Sequence, residues 1–496
     1  MMEFCCKTIP CVKAANDFSV REIISCISEL EKSSVLPSEV ISRWKGYLSS
    51  IEPQKCYNQF AKDPTQTINN WALFTAVSEF FRQNMGLCDS TDFIDIQIAT
   101  QLSRLDENGM YMDNTKSDIH QPIMYDIVPR GLFALLLHFG YRGKYYNEID
   151  ECLKKTALMM LNMQSTNGEM AFGGRSNQFL HNEPWCTALY EYEANRYKKE
   201  GNDELAALFK SAIARCIKVT EKWLSFYPIR HIKNKFPAGC DYGCENYAYF
   251  DKYMITAASN LFCAYLMCDD SIDAEEVADN SSAVFKTSEF FHKFFLKSGG
   301  YMLEFDTNAD PHYDASGLGR VHKQDAPSTI CLSVPCPKSP NYKLDIEDNV
   351  ALSLCVGVEK EGKLFFALDE SVEYEVASSY AKENEAGAEL RCDFGKNLYV
   401  TAKYTVNHDG VKIEAVGEGR IAFLLPAFHF DGETYTQILC DGNTLTVKYD
   451  GWCCRYIASS AIFALDKMAA NRNGYYKAFY ISAENKIQVK IEIFEI

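Results

Sequence analysis

The spacing of apolar residues changes once along this chain, near residue 300, and that change bounds what it can fold into. Between about residues 18 and 297 apolar side chains recur every three or four positions. The runs include Ser19–Glu31, Pro37–Ser49, Ile68–Gln83, Asp92–Leu105, Met124–Phe139, Tyr146–Met163, Leu180–Glu200, Leu205–Phe226 and Tyr247–Cys268, and a last helix is expected at Ser288–Leu296. Beyond Gly299 the period drops to two. Tyr399–Val406 and Val411–Val416 flank His408-Asp409-Gly410, which predicts a tight hairpin. Two more hairpins are expected: Tyr435–Leu439 with Thr444–Tyr449, and Ala478–Ile481 with Lys486–Phe494 around Asn485. The expected architecture is therefore α+β and multidomain, with helical hairpins over residues 1–298 and an antiparallel β-sandwich over 299–496.

A chain of 496 residues is long enough for two large cores. Its net charge of −17 argues against nucleic acid and anionic membranes as partners, because the overall field repels polyanions and no long basic run offsets it. No apolar run has transmembrane length and the first residues lack a signal-peptide pattern, so the expectation is a cytoplasmic protein without a membrane partner. The 20 cysteines include no Cys-x-x-Cys and many sit at apolar positions, which reads as free thiols, with no metal and no cofactor. Asp306–Asp314 resembles the start of a calcium loop, but Pro311 occupies the position that requires glycine.

Three segments share a pattern of helix end followed by a glycine turn: Leu105–Tyr111, Gln164–Met170 and Leu296–Met302. Repeated hairpins of this kind can stack as a solenoid or close into a ring. The loop Phe172–Trp185 carries more polar residues than a helix start needs: one of Ser176 or Asn177 can cap, leaving Arg175, Gln178, His181, Asn182 and Glu183 over. A second stretch groups Arg230, His231, Lys233 and Lys235 with Tyr242, Glu245, Tyr247 and Tyr249. In an acidic protein this reads as a local cationic and aromatic platform for a carboxylated sugar. Asn69, Asn70 and Trp71 start one helix, where capping is the expected role of the asparagines, and Tyr125 starts another. The segment 317–327 reads as a glycine-rich connection that could send Arg320 and His322 into a cleft.

Taken together, the glycine-ended hairpins, Asn69-Asn70-Trp71, the Asn177/Gln178/His181/Asn182 loop, the later tyrosines and the C-terminal β region resemble the heparinase II/III-like polysaccharide lyases. They are also similar to toroid-plus-sandwich glycoside hydrolases acting on glucuronides, such as glycoside hydrolase family 154. The resemblance implies an (α/α) toroid and cleavage of uronic-acid-containing saccharides by β-elimination. Asn177, Gln178 or Asn182 would neutralise the uronate, His181 would take the C5 proton, and Tyr242 or Tyr247 would protonate the leaving oxygen. Asn70, Trp71, Tyr125, Arg175, His231, Lys233 and Tyr249 would bind substrate, with Arg320 and His322 closing the site from the sandwich. The rival is hydrolysis by a carboxylate pair drawn from Asp126, Glu183, Asp241 and Glu245, and a third reading is a non-catalytic sugar-binding protein. The expected partner is an acidic oligosaccharide; oligomeric state is left open, a homo-oligomer included.

Overall fold

The computed structural model describes residues 1–13, 16–114, 118–274, 282–368 and 371–496. Helices run from the N-terminal region to Met267 and strands begin at Ala283. The chain divides into two compact units. One comprises residues 1–118, 125–158 and 262–268, and the other residues 119–124, 159–261 and 269–496.

In the first unit, helices Trp71–Asn84 and Thr91–Leu102 form a hairpin joined by a short turn. Two buried carboxylates of this unit, Glu79 and Asp126, are paired, as burial requires. Glu79 accepts from Arg82 at 2.6 and 2.7 Å, from Tyr57 at 2.6 Å and from Ser90 at 2.6 Å. Asp126 pairs with Arg130 one helical turn later and accepts the Tyr111 backbone N–H at 2.8 Å. The asparagines at the Trp71 helix do not share a capping role. Asn69 Oδ1 accepts from Trp71 N at 3.2 Å, whereas Asn70 makes no capping bond and donates to Asp113 at 2.6 Å. Trp71 packs edge-on against Phe18 with ring centroids 4.7 Å apart, and Tyr125 is half-buried in the helix Ile123–His138.

The second unit contains the helical hairpin Asn182–Lys199 and Asp203–Leu224, turned by Gly201 at φ +77°, followed by two antiparallel sheets. The smaller sheet takes its strands in chain order: Ala283–Lys286, Lys293–Ser298, Tyr301–Asp306 and Gly317–Lys323. The larger is built on two long strands, Gly410–Phe430 and Gly474–Glu495, paired along most of their length. Tyr399–Asn407, Glu385–Asp393 and Glu373–Lys382 extend it on one side, and Trp452–Ala458, Thr444–Tyr449 and Gln437–Asp441 on the other. Phe294, Leu296, Leu303 and Phe305 of the small sheet share one core with Leu390, Ala402, Tyr404 and Ile413 of the large one, which makes this region a sandwich. The period of two is visible in the burial of Val400, Ala402, Tyr404 and Val406 against the more exposed residues between them.

Three expectations are corrected. Ser288–Leu296 is not a helix: it enters the strand Lys293–Ser298, where Phe294 and Phe295 are buried by sheet packing. Leu296–Met302 is accordingly a strand turn rather than a helix end. The third expected hairpin is one continuous strand, Gly474–Glu495, in which Asn485 at φ +60° marks an irregularity opposite Val416 and Arg420. The hairpins at 399–416 and 437–449 form as expected. So do the glycine turns at Gly109 and Gly168, both at positive φ and both closed by the same pair of backbone bonds.

Gly299 joins the two sheets through backbone contact. Its φ is +58°, and a Cβ placed on it would lie 2.1 Å from the backbone nitrogen of His408 in the facing hairpin turn. Gly299→Ala is therefore expected to destabilise the protein by at least about 2 kcal/mol, combining left-handed strain with a backbone clash. A thermal melt of the variant within a degree of the parent would refute this packing.

Candidate functional site

The two stretches singled out in the sequence meet in the second unit. Leu180 N–H donates to His231 O at 2.9 Å and Lys233 N–H to Gln178 O at 3.0 Å, so Phe179 and Ile232 face each other as an antiparallel bridge. The loop that makes this possible is strained: Ser176 and Gln178 both adopt left-handed backbone, at φ +59° and +65°. Its polar residues hold that shape. Asn182 Oδ1 accepts Phe179 N–H at 3.0 Å while its Nδ2 donates to Ser176 O at 3.1 Å. Asn177 donates to Ala171 O at 3.0 Å and accepts from Gln178 Nε2 at 2.9 Å. Neither Ser176 nor Asn177 caps the next helix; its N-cap position is His181, which makes no side-chain capping bond.

Ser176 is tied down from the other stretch. Its N–H donates to Glu245 Oε1 at 2.7 Å, and its hydroxyl lies 3.1 Å from those of both Tyr247 and Tyr253. Glu245 is in turn gripped by Arg472, with Nη1 and Nη2 each 2.8 Å from a carboxylate oxygen, a buried bidentate pair. The tyrosine against His181 is Tyr253, with ring centroids 4.4 Å apart. Tyr242 stacks instead on Phe236 at 3.5 Å, and burial raises its phenol well above the usual range. Burial first, then Lys233 and His231, hold His181 at about 3, so its imidazole is neutral at physiological pH. Arg175 is half-buried, and Tyr249 is 57% exposed.

The expected local cationic platform lies largely in the interior. Arg230, His231 and Lys233 are all buried, because each finds a partner. Arg230 reaches Glu433 at 3.1 Å, His231 Nε2 lies 2.8 Å from Ala248 O, and Lys233 donates to Glu183 at 2.6 Å. Lys233 also stands 4.0 Å from Glu169. Burial pushes Glu169 up, but Lys233, His322 and Arg320 outweigh it and hold that carboxyl at about 2. Burial dominates at Glu183 and raises it.

Arg320 and His322 lie on the strand Gly317–Lys323 rather than in a connection, and both are fully buried. Arg320 donates to Met170 O and Ser333 O at 2.9 and 2.8 Å and pairs with Glu304 at 3.0 Å. His322 Nδ1 sits 2.5 Å from the Ser165 hydroxyl.

Beside this cluster is a cavity of about 280 Å³, where Lys233 and Lys235 of the basic stretch meet groups that the sequence did not single out. Glu169 and Lys233 open onto it, together with Trp223 and Phe226 from the end of helix Asp203–Leu224. Lys235, Asp431 and Tyr449 form another wall and bind one another. Lys235 Nζ donates to Tyr449 Oη at 3.0 Å and pairs with Asp431 at 2.8 Å, while the Tyr449 hydroxyl donates to Asp431 at 2.6 Å. Burial and the bond to Asp431 raise the Tyr449 phenol; the same bonds from Lys235 and Tyr449 outweigh burial at Asp431 and lower it. Asn70, Trp71 and Tyr125 belong to the first unit. No group of His, Cys, Asp and Glu suited to a metal occurs among the described residues.

No family model matches the chain, and no curated protein matches it. Among solved structures it is similar to a heparinase III, with a TM-score of 0.39 and 10% identity over 98% of this chain and 77% of that one. The heparan sulfate lyase HepC from Pedobacter heparinus gives 0.36 and 7% identity, covering 96% of this chain and 73% of its own. A galactose mutarotase-like protein from Clostridium acetobutylicum gives 0.28 and 9% over 44% of this chain and 99% of that one. Likeness at this level assigns no activity to this chain.

Burial, with Arg320 beside it, holds His322 at about 3, below its usual 6.5. The unfolded chain therefore takes up a proton below about pH 6.5 that the folded ring refuses, and stability falls as pH drops from 6.5 towards 3. In His322→Asn this fall should be shallower by up to about 1.4 kcal/mol per pH unit, read from urea unfolding between pH 6.5 and 4. An unchanged slope would mean that the folded ring accepts the proton.

Proposed function

We propose that this protein is an enzyme that cleaves uronic-acid-containing oligosaccharides by β-elimination, with the sugar seated in the 280 Å³ cavity. The observation that carries the proposal is the Lys235–Tyr449–Asp431 group on the cavity wall, where an ammonium, a phenol and a carboxylate are held by one another. Elimination needs a cation to mask the uronate charge, an acceptor for the C5 proton and a donor for the leaving oxygen. Lys235 supplies the cation and Tyr449 the donor, its raised proton affinity keeping the phenol protonated until a leaving oxygen asks for it. Glu169 is the acceptor for the C5 proton on the cavity wall, whereas His181 is not among the residues that line it. Glu169 is ionised; His181 is neutral and is the base that the family resemblance implies.

Hydrolysis is the second reading, favoured by one observation: three carboxylates, Glu169, Asp431 and Asp450, line the same cavity and offer an acid and base pair. Incubation with a panel of uronic-acid oligosaccharides separates the two. Elimination leaves an unsaturated uronate that absorbs in the ultraviolet, whereas hydrolysis leaves a saturated product. We expect the chromophore, and we expect Tyr449→Phe to lower its rate at least about a hundredfold with a melting temperature close to that of the parent. A saturated product transfers the assignment to the carboxylate pair, and a fully active Tyr449→Phe sinks the role given to the phenol.

A further inference from the structure

The C-terminal turn of helix Asp203–Leu224 brings an aromatic surface and a cation to the same cavity. The rings of Trp223 and Phe226 lie 5.2 Å apart with their planes inclined by 31°, and both line the cavity. Both are half-buried. The Arg230 guanidinium stands 6.0 Å from the Phe226 ring, and Arg230 is itself anchored to Asn234 O and Glu433. Lys222 is exposed, its Nζ 5.9 Å from the centre of the Trp223 ring.

The cavity's three lysines differ in what neutralises them. Lys233 has Glu183 at 2.6 Å and Lys235 has Asp431 at 2.8 Å, while Lys222 has no carboxylate within ion-pair distance among the described residues. An aromatic face selects the C–H face of a sugar ring, and a cation at its rim meets whatever group projects from the ring edge. On a pyranose with an equatorial C5 carboxylate that group is the carboxylate itself.

We infer that Lys222, Trp223 and Phe226 form a uronate-binding subsite, in which the rings carry the sugar and Lys222 selects the acid over the neutral hexose. The inference rests on the acidic-sugar reading of the cavity and adds the residues that would recognise the sugar. It is tested by binding alone. Isothermal titration of the full chain with methyl glucuronoside, methyl glucoside and acetate should give at least about threefold tighter binding of the glucuronoside than of either other ligand, as one exposed charge-assisted contact contributes. Lys222→Met should lower the preference for the glucuronoside over the glucoside, Lys235 supplying the remainder, and Trp223→Leu should weaken both sugars. Phe226→Leu serves the same purpose if Trp223→Leu fails to fold. Equal affinity for the two sugars, or an unaltered preference in Lys222→Met, overturns the subsite. Glucuronoside binding without any cleaved product would leave the subsite standing while defeating the proposed elimination.

Discussion

A lysine ammonium that is 1% exposed has to be answered by carboxylate, and the answer at Lys233 organises the second unit. Glu183 at 2.6 Å supplies it from the first turn of one helix, and Glu169 at 4.0 Å shares it from the turn before the 172–185 loop. That requirement pins residue 233, and with it the backbone bridge between Phe179 and Ile232, since Lys233 N–H and Lys233 Nζ are bound on the same stretch of chain. Removing one partner would strand the others as uncompensated buried charge, which commonly costs about 3–5 kcal/mol. The positive side extends through Arg320 to Glu304, whose carboxyl burial raises to about 7 despite Arg320 and Lys293 nearby. Glu183, Lys233, Glu169, Arg320 and Glu304 are therefore one connected arrangement rather than a set of separate bonds.

Much of the fold was legible because periodicity reports which faces are buried, and burial in both helix and strand follows simple repeats. It failed where a segment is buried on both faces. Phe290-Phe291-His292-Lys293-Phe294-Phe295-Leu296 has no polar stripe to reveal a period, and a buried strand then reads like a buried helix. The expected turn at Asn485 failed for a different reason. A left-handed asparagine ordinarily signals a reversal, but here it is absorbed as an irregularity within a strand that carries on.

The site was half legible. The 175–183 and 230–253 stretches stood out for excess polarity, and they do meet; yet Asn177, Gln178 and Asn182 are occupied in shaping a strained loop. Sequence alone does not distinguish a polar residue that serves the backbone from one that serves a ligand. Asp431 and Tyr449 gave no signal because they sit at strand ends, where such residues are ordinary, and only the pairing of distant strands sets them beside Lys235. Arg320 and His322 were visible as polar residues in a glycine-rich run, but their strand conformation was not, since Gly317 and Gly319 mimic a connection.

The strand Gly474–Glu495 carries a further consequence for how the large sheet bears load. Its first half lies between Ile462–Asn471 and one end of Gly410–Phe430, and its second half lies between Trp452–Ala458 and the other end of that same strand. Force applied along it is spread in shear over backbone bonds on both of its edges. Losing its last ten residues would detach Trp452–Ala458, and with it Thr444–Tyr449 and the wall that holds Tyr449, so the mechanical keystone of the sheet is also the support of the cavity.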